Sequence, residues 1–156
     1  CLMNLVIKPL ESEGDADWCA ATMAACEPWQ VLGRDKLVCL ALVNNPEKNV
    51  FVAWIGTKRA GVIILEMRGV LRGYLQAIAV HPDFQSQGLG KSMMKFVEER
   101  VFAETPNVFL CVSSFNIRAQ KFYAGLGYEP VGTLKNFVID GHDELILRKT
   151  RGPLTQ

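Results

Sequence analysis

The stretch Gln85-Ser86-Gln87-Gly88-Leu89-Gly90 is the part of this chain whose residue types and spacing could do chemistry. An apolar run, Leu75 to Val80, precedes it. Lys91, Ser92 and an apolar-periodic segment through Val97 follow. That order reads as strand, glycine turn and helix start. The first N–H groups of a helix have no partner inside it, and the helix dipole adds partial positive charge there. A phosphate or pyrophosphate fits such a place. Gly88 and Gly90 remove side chains that would hold a ligand away from the backbone. Neither a G-x-x-x-x-G-K-[ST] string nor a G-x-G-x-x-G after the first strand is present, so a P-loop and a dinucleotide fingerprint are unsupported.

A second segment lies about 30 residues further on, a distance that suits one helix plus one strand. It runs Val108-Phe109-Leu110-Cys111-Val112-Ser113-Ser114-Phe115-Asn116. Then follows Ile117-Arg118-Ala119-Gln120-Lys121-Phe122-Tyr123-Ala124-Gly125-Leu126-Gly127-Tyr128. Together the two segments resemble the GNAT superfamily, the Gcn5-related N-acetyltransferases. The Q-x-x-G-x-G loop is similar to that family's acetyl-CoA pyrophosphate loop. Asn116 and the "FYAGLGY" ending are similar to its second cofactor segment, and the tail from Val131 to Lys149 resembles its closing hairpin. The likeness is close from Leu71 to Lys149. In the first half it rests mainly on the order of elements.

The resemblance implies an acetyl-CoA-dependent N-acetyltransferase with direct transfer to a primary amine of a small molecule, peptide or protein, coenzyme A being the product. It implies that Ile78, Ala79 and Val80 flank the pantetheine arm, and that Gln85, Ser86, Gln87, Gly88, Leu89, Gly90, Lys91 and Ser92 hold the pyrophosphate. Asn116, Ala119, Phe122 and Tyr123 would complete the cofactor site. Tyr123 stands where many members place the acid that protonates the departing thiolate. A phenol suits that role because its reference pKa, about 10, is near that of a thiol. The general base is not evident. Tyr74 and Gln76 occupy positions where some members carry a glutamate, and Cys111 stands where N-terminal acetyltransferases of ribosomal proteins have one. Glu27 is the candidate base, with Glu66 and relayed water as alternatives. Glu27-Pro28-Trp29 falls in the loop that borders the acceptor in this fold, and Trp29 could line that pocket or staple helices together. Two other readings stay open: a non-catalytic, regulatory acyl-CoA-binding domain of the same fold, and a small interaction module whose glycine loop is only a connection.

The 156 residues suit one domain spanning 1–156 with one sizeable core. A 49% apolar and 21% charged composition is that of an ordinary globular chain, and a net charge of +1 offers no extended nucleic-acid face. No run is apolar enough to cross a bilayer, and no secretory signal is recognised. The five cysteines, Cys1, Cys19, Cys26, Cys39 and Cys111, form no C-x-x-C pair, and His81 and His142 are the only histidines. A metal site is therefore not expected; buried thiols in a reducing cytoplasm are. Cys111 reads as a core thiol rather than a nucleophile, His81 as structural and His142 as exposed. A homodimer through an apolar sheet edge is a further expectation.

The elements that must position these groups follow from period and punctuation. Leu2 to Lys8 suits an opening strand. Ser12 to Asp15 suits a helix cap, Ala16 to Cys26 a helix ended by Pro28, and Arg34 to Val43 a second helix. Val50–Ile55 and Ala60–Met67 read as a hairpin around Gly56-Thr57-Lys58-Arg59, and Gly73 to His81 as the next strand. Ser92–Phe102 reads as a helix and Val108 opens a strand. Asn116 caps a helix that runs to Leu126, with Gly127 at its left-handed C′ position. Asp140-Gly141 is expected to make a tight I′ turn in the closing hairpin. The fold class expected is α/β (α+β): a mixed, mostly antiparallel central sheet flanked by about four helices, with a splayed parallel strand pair at the cofactor site.

Overall fold

The computed structural model describes residues 4–155. Its elements are β1 (Leu5–Pro9), α1 (Glu13–Ala24), α2 (Lys36–Val43), β2 (Asn49–Ile55), β3 (Lys58–Glu66) and β4 (Tyr74–Val80). They continue with α3 (Leu89–Phe102), β5 (Asn107–Ser113), α4 (Ile117–Gly125), β6 (Glu129–Leu134) and β7 (Glu144–Thr150). Among the described residues the strands form one seven-stranded sheet, in the order β1-β2-β3-β4-β5-β7-β6. Every neighbouring pair is antiparallel except β4 and β5. The expected mixed sheet with one parallel pair and four helices is what forms. No helix among the described residues is long and apolar enough to cross a membrane.

The sheet carries a separate apolar layer on each face. On one face Ala16, Cys19, Ala20 and Met23 of α1, with Cys39 and Val43 of α2, pack on Val52, Val62, Ile64, Ala77 and Ala79. On the other, Met93, Met94, Val97 and Val101 of α3 and Tyr123 of α4 pack on Ile63, Leu65, Leu75, Leu110 and Val112. Side chains alternate across a strand, so β3 feeds both layers and is buried almost throughout. The two edge strands, β1 and β6, each carry a proline, Pro9 and Pro130, and β6 is bulged between Pro130 and Gly132. Both features blunt an edge against adding a further strand.

Helix α1 begins one turn before the expected Ala16. Ser12 is its N-cap and accepts from the Asp15 amide, so the first turn fits Glu13 to Asp15. The helix stops at Ala24, short of Pro28, and the loop to Asp35 is a series of turns. Leu2 and Met3 of the expected first strand, and Cys1, lie outside the described residues; Asn4 is in a turn. Asp15 is 5% exposed and fastens α1 to the sheet, because Arg59 Nε on β3 donates to its Oδ1 at 2.8 Å. Burial alone would raise this carboxyl. The Arg59 bond, with those from the Glu11 amide and Ser12, outweighs burial and holds it below the usual carboxylate range. A folded-state pKa below the unfolded one adds stability that is present above the unfolded value and is lost as pH falls through the folded one. Asp15→Asn is therefore expected to cost about 2 kcal/mol at pH 7. In thermal melts the gap from the wild type should shrink as the pH is taken below about 4.

Three expectations about the C-terminal half need correction. Helix α3 starts at Leu89, not Ser92, because Gly88 at φ 80° serves as its N-cap. Asp140-Gly141 do centre a turn, the His142 amide donating to the Ile139 carbonyl at 3.3 Å, but Asp140 lacks the positive φ of a type I′ turn and the whole segment 135–143 lies between β6 and β7. Asn136 and Asp143 organise it. The Gly141 amide donates to Asn136 Oδ1 at 2.8 Å, and the Asn136 amide donates to Asp143 Oδ1 at 3.1 Å. His142 is half-buried rather than exposed, edge-on to Phe115 at 5.0 Å between ring centroids.

Candidate active site

The strand that precedes the glycine loop changes face at Gln76. Ile64 pairs with Ala77 and Leu65 with Leu75, so Gln76 is the additional residue of a β-bulge. Leu75 thus packs in the α3 layer while Ala77 packs in the α1 layer. The parallel pairing of β4 with β5 ends at the same place. Only Tyr74–Phe109 and Leu75–Leu110 are in register, and beyond them the two strands diverge. Ile78, Ala79 and Val80 stay paired to β3 on one edge, but their other edge borders the opening.

The opening is a slot through the sheet, and a cleft of about 650 Å³ runs through it. Its lining comes from both faces. Leu75, Ile78, Leu110, Asn116, Ala119 and Tyr123 belong to the α3–α4 side. Tyr74, Cys111, Ser113, Glu144 and Ile146 come from strands β4, β5 and β7, and Glu27, Trp29 and Arg34 from the loop between α1 and α2. The alternation along β5 makes this arrangement: Leu110 and Val112 face one layer, Cys111 and Ser113 the other.

The glycine loop lies beyond the α3–α4 end of the slot. Ser86 and Gly88 both adopt left-handed backbone, φ 62° and 80°. Gln85 Nε2 donates to the Val80 carbonyl at 3.1 Å and Gln87 Nε2 to the Asp83 carbonyl at 3.3 Å, so both glutamine side chains brace the loop itself. The amides of Gly88, Leu89, Gly90 and Lys91 find no acceptor among the described residues. A Cβ at Gly88 would meet nothing within 4 Å, so the surface above these amides is open. Phe122 closes it on one side; its Cζ comes 3.6 Å from where a Cβ on Gly90 would sit. Leu89 is buried as a core anchor, whereas Lys91 is exposed and Ser92 half-buried. Four unpaired amides at a helix start, with a lysine beside them, make an anion cradle that fits a pyrophosphate.

Asn116 caps α4 by accepting from the Ala119 amide at 3.1 Å, and so directs Ala119 and Tyr123, one turn apart, at the slot. Burial pushes the Tyr123 phenol up to about 12. Its hydroxyl has no partner among the described residues and is not sealed off, so it faces the cleft. Of the sequence-derived set, Ile78, Asn116, Ala119, Tyr123 and Glu27 line this cleft. Ala79 instead packs into the α1–α2 layer, and Val80, Gln85 to Ser92 and Phe122 lie outside the cleft lining, around the glycine loop.

The proposed bases fare unequally. Glu27 is exposed, and its Oε2 accepts from the Val31 amide at 3.3 Å. Glu66 is ion-paired to Lys48 at 2.6 Å, which holds its carboxyl below the ordinary range. Trp29 is 9% exposed; it both lines the cleft and joins the α1–α2 layer. Cys111 and Tyr74 face each other in the cleft, and burial raises both the thiol and the phenol. Cys19 and Cys39 are buried and Cys26 half-buried, and these three and Cys111 are free. The group that sequence reasoning missed is Glu144. It is 6% exposed, lines the cleft, and accepts from Ser113 Oγ at 2.8 Å. Its only trace in the sequence is a carboxylate within an otherwise apolar strand start.

Comparison with known proteins agrees with this geometry. The chain is 28% identical over 110 residues to an uncharacterized N-acetyltransferase of Methanocaldococcus jannaschii, covering 67% of this chain and 70% of that protein. The ribosomal-protein-S18-alanine N-acetyltransferase of Escherichia coli superposes with a TM-score of 0.71 at 20% identity, over 97% of this chain and 98% of that one. An aminoglycoside 6′-N-acetyltransferase complexed with coenzyme A superposes with a TM-score of 0.73 at 14% identity, over 97% and 99%. At such identities the two structures establish the shared fold alone. The pattern of the Acetyltransferase (GNAT) family matches residues 15–128, most of the chain. With that match, the splayed strand pair and the unpaired amides at the start of α3, the chain belongs to the GNAT acetyltransferase family.

Proposed function

We propose that this protein, as a single domain, uses acetyl-CoA to acetylate a primary amine by direct transfer. The observation that carries the reading is the slot. One continuous cleft joins the amide cradle side of the sheet to a second mouth on the opposite face. A thioester entering from one side and an amine from the other would meet at the divergence of β4 and β5. On this reading the amides of Gly88 to Lys91 and the Lys91 charge hold the pyrophosphate, and the slot-facing backbone edge of Ile78 to Val80, apart from the Val80 carbonyl that Gln85 occupies, holds the pantetheine arm. The cofactor supplies an activated acetyl thioester. The chain supplies position, exclusion of water, and Tyr123 as donor to the departing sulfur. Both structural relatives above act on amines by name. The four free thiols suit a reducing compartment, and we place the protein in the cytoplasm.

Calorimetry with acetyl-CoA and with free coenzyme A tests this directly. Binding should be saturable. At a hundredfold excess over Kd it should add about 2.7 kcal/mol of stability, a rise in Tm of roughly 5–11 °C for a chain this long. No heat and no Tm shift at millimolar ligand would sink the reading. Release of free thiol that depends on an added amine separates an enzyme from a non-catalytic acyl-CoA-binding domain.

A further inference from the structure

We propose that Glu144 is the base that takes the proton from the acceptor's ammonium, with Ser113 holding its carboxylate in place. The inference rests on the acetyltransferase reading and names a group that reading lacks. The side of the cleft opposite the cofactor approach carries three carboxylates, Glu27, Glu66 and Glu144. Glu66 is committed to Lys48, and the salt bridge lowers its proton affinity. Glu27 is exposed at the rim and caps a turn through the Val31 amide. Glu144 differs on each count. It starts β7 directly opposite Ser113 of β5, one strand from the slot. Oε1 accepts from Ser113 Oγ at 2.8 Å, whereas Oε2 has no partner among the described residues and stays open to the cleft.

No lysine, arginine or histidine among the described residues ion-pairs with Glu144. The groups that face it are Ser113 and Cys111 from β5, Tyr74 from β4, and Arg34 from the loop between α1 and α2. Burial raises its carboxyl, and the Ser113 bond and the Arg34 charge only partly oppose that rise. Cys111 and Tyr74 are themselves raised, so neither is ionised near neutrality and neither can serve as the base there. A buried carboxylate with one open oxygen and a raised proton affinity is suited to accept a proton near neutral pH.

Glu144 takes one proton from R–NH3⁺ and becomes a neutral carboxylic acid. The freed nitrogen lone pair forms the C–N bond to the thioester carbon. As the adduct collapses the C–S bond breaks, and the sulfur takes the Tyr123 proton. The adduct nitrogen gives up a proton that restores Tyr123. Glu144 then loses its proton to solvent, so one proton is released for each acetyl group transferred.

Three probes supply the acceptor: a peptide with N-terminal alanine, an aminoglycoside and a linear polyamine. With whichever is turned over, Glu144→Gln should lower kcat/KM about 10²- to 10⁴-fold at pH 7. Coenzyme A affinity by calorimetry should stay within about twofold, because Glu144 sits on the far face. The loss should shrink as pH rises and more amine is already neutral. Glu144→Asp should retain part of the rate. Ser113→Ala removes a bond that stabilises the anion, so it should move the acid limb of the rate profile to higher pH. A carboxyl carbon NMR titration of the glutamate-labelled protein needs no acceptor. It should show one resonance titrating above the ordinary range, absent from Glu144→Gln and shifted further up in Ser113→Ala. A glutamine variant that keeps wild-type turnover and acid limb overturns the assignment. So does an NMR titration with no upward-shifted glutamate. Failure of the wild type to bind coenzyme A instead strikes the underlying acetyltransferase reading.

Discussion

Replacing Tyr123 by phenylalanine is expected to cut kcat about 100-fold or more while changing the coenzyme A dissociation constant by no more than about twofold. Tyr123 projects from α4 into the slot with a hydroxyl that no neighbour occupies. Burial pushes that phenol up to about 12, so it is protonated throughout the range in which an amine acceptor reacts. Passing a proton outright from such a group to a thiolate of ordinary affinity, near 8.5, is uphill by about 5 kcal/mol. On the proposed reading its contribution would therefore come chiefly as a hydrogen bond to sulfur as negative charge develops. Full transfer would be completed only when the adduct nitrogen resupplies the proton. Phenylalanine keeps the ring and its edge-on contacts with Phe122 and Tyr128, at 5.2 and 5.8 Å between centroids. The variant should therefore fold with a near-normal Tm, and the loss should appear in kcat rather than in KM for the donor. Stopped-flow or steady-state thiol release decides it; a kcat within threefold of wild type removes Tyr123 from the chemistry.

Gly73→Ala is expected to be the most damaging small substitution for the fold, by about 4 kcal/mol, or roughly 8–16 °C in Tm. Gly73 precedes β4 at φ 91°, where a side chain is strained before any contact is considered. A Cβ there would lie 2.3 Å from the Asn107 carbonyl oxygen and 2.8 Å from Val101 Cγ1. The first neighbour is backbone and cannot swing away. The same residue ties the parallel strands, because the Phe109 amide donates to the Gly73 carbonyl at 3.0 Å. Pushing the strands apart here would widen the slot from its closed end, so the residual folded protein should also bind coenzyme A more weakly. Gly69→Ala is the control: φ is 80° but nothing lies within 4 Å, so only the backbone strain of about 1 kcal/mol should appear. Equal melts for the two variants would contradict the steric account.

Local signals in the sequence determined the glycine loop, the Ser12 and Asn116 caps, the β2–β3 hairpin and the order of elements. Each depends on residues within one helical turn or one strand, where periodicity and capping chemistry act directly. The Asp140-Gly141 turn forms for the same reason, but it does not join the strands. Turn propensity is local, but the register of β7 is held by β5, and Asn136 and Asp143 fold the segment between the strands by their own side-chain bonds. What decides the site is non-local. The bulge at Gln76 and the early end of the β4–β5 pairing arise from how three strands share two packed layers. Ser113 and Glu144 meet across 31 residues of chain, and only the pairing of β5 with β7 brings them together. The phosphate-sized cradle can thus be read from the amino-acid order, since it is built from consecutive amides. The mouth where an amine would arrive cannot, because burial and neighbours give its carboxylates different proton affinities, and those exist only once the sheet has formed.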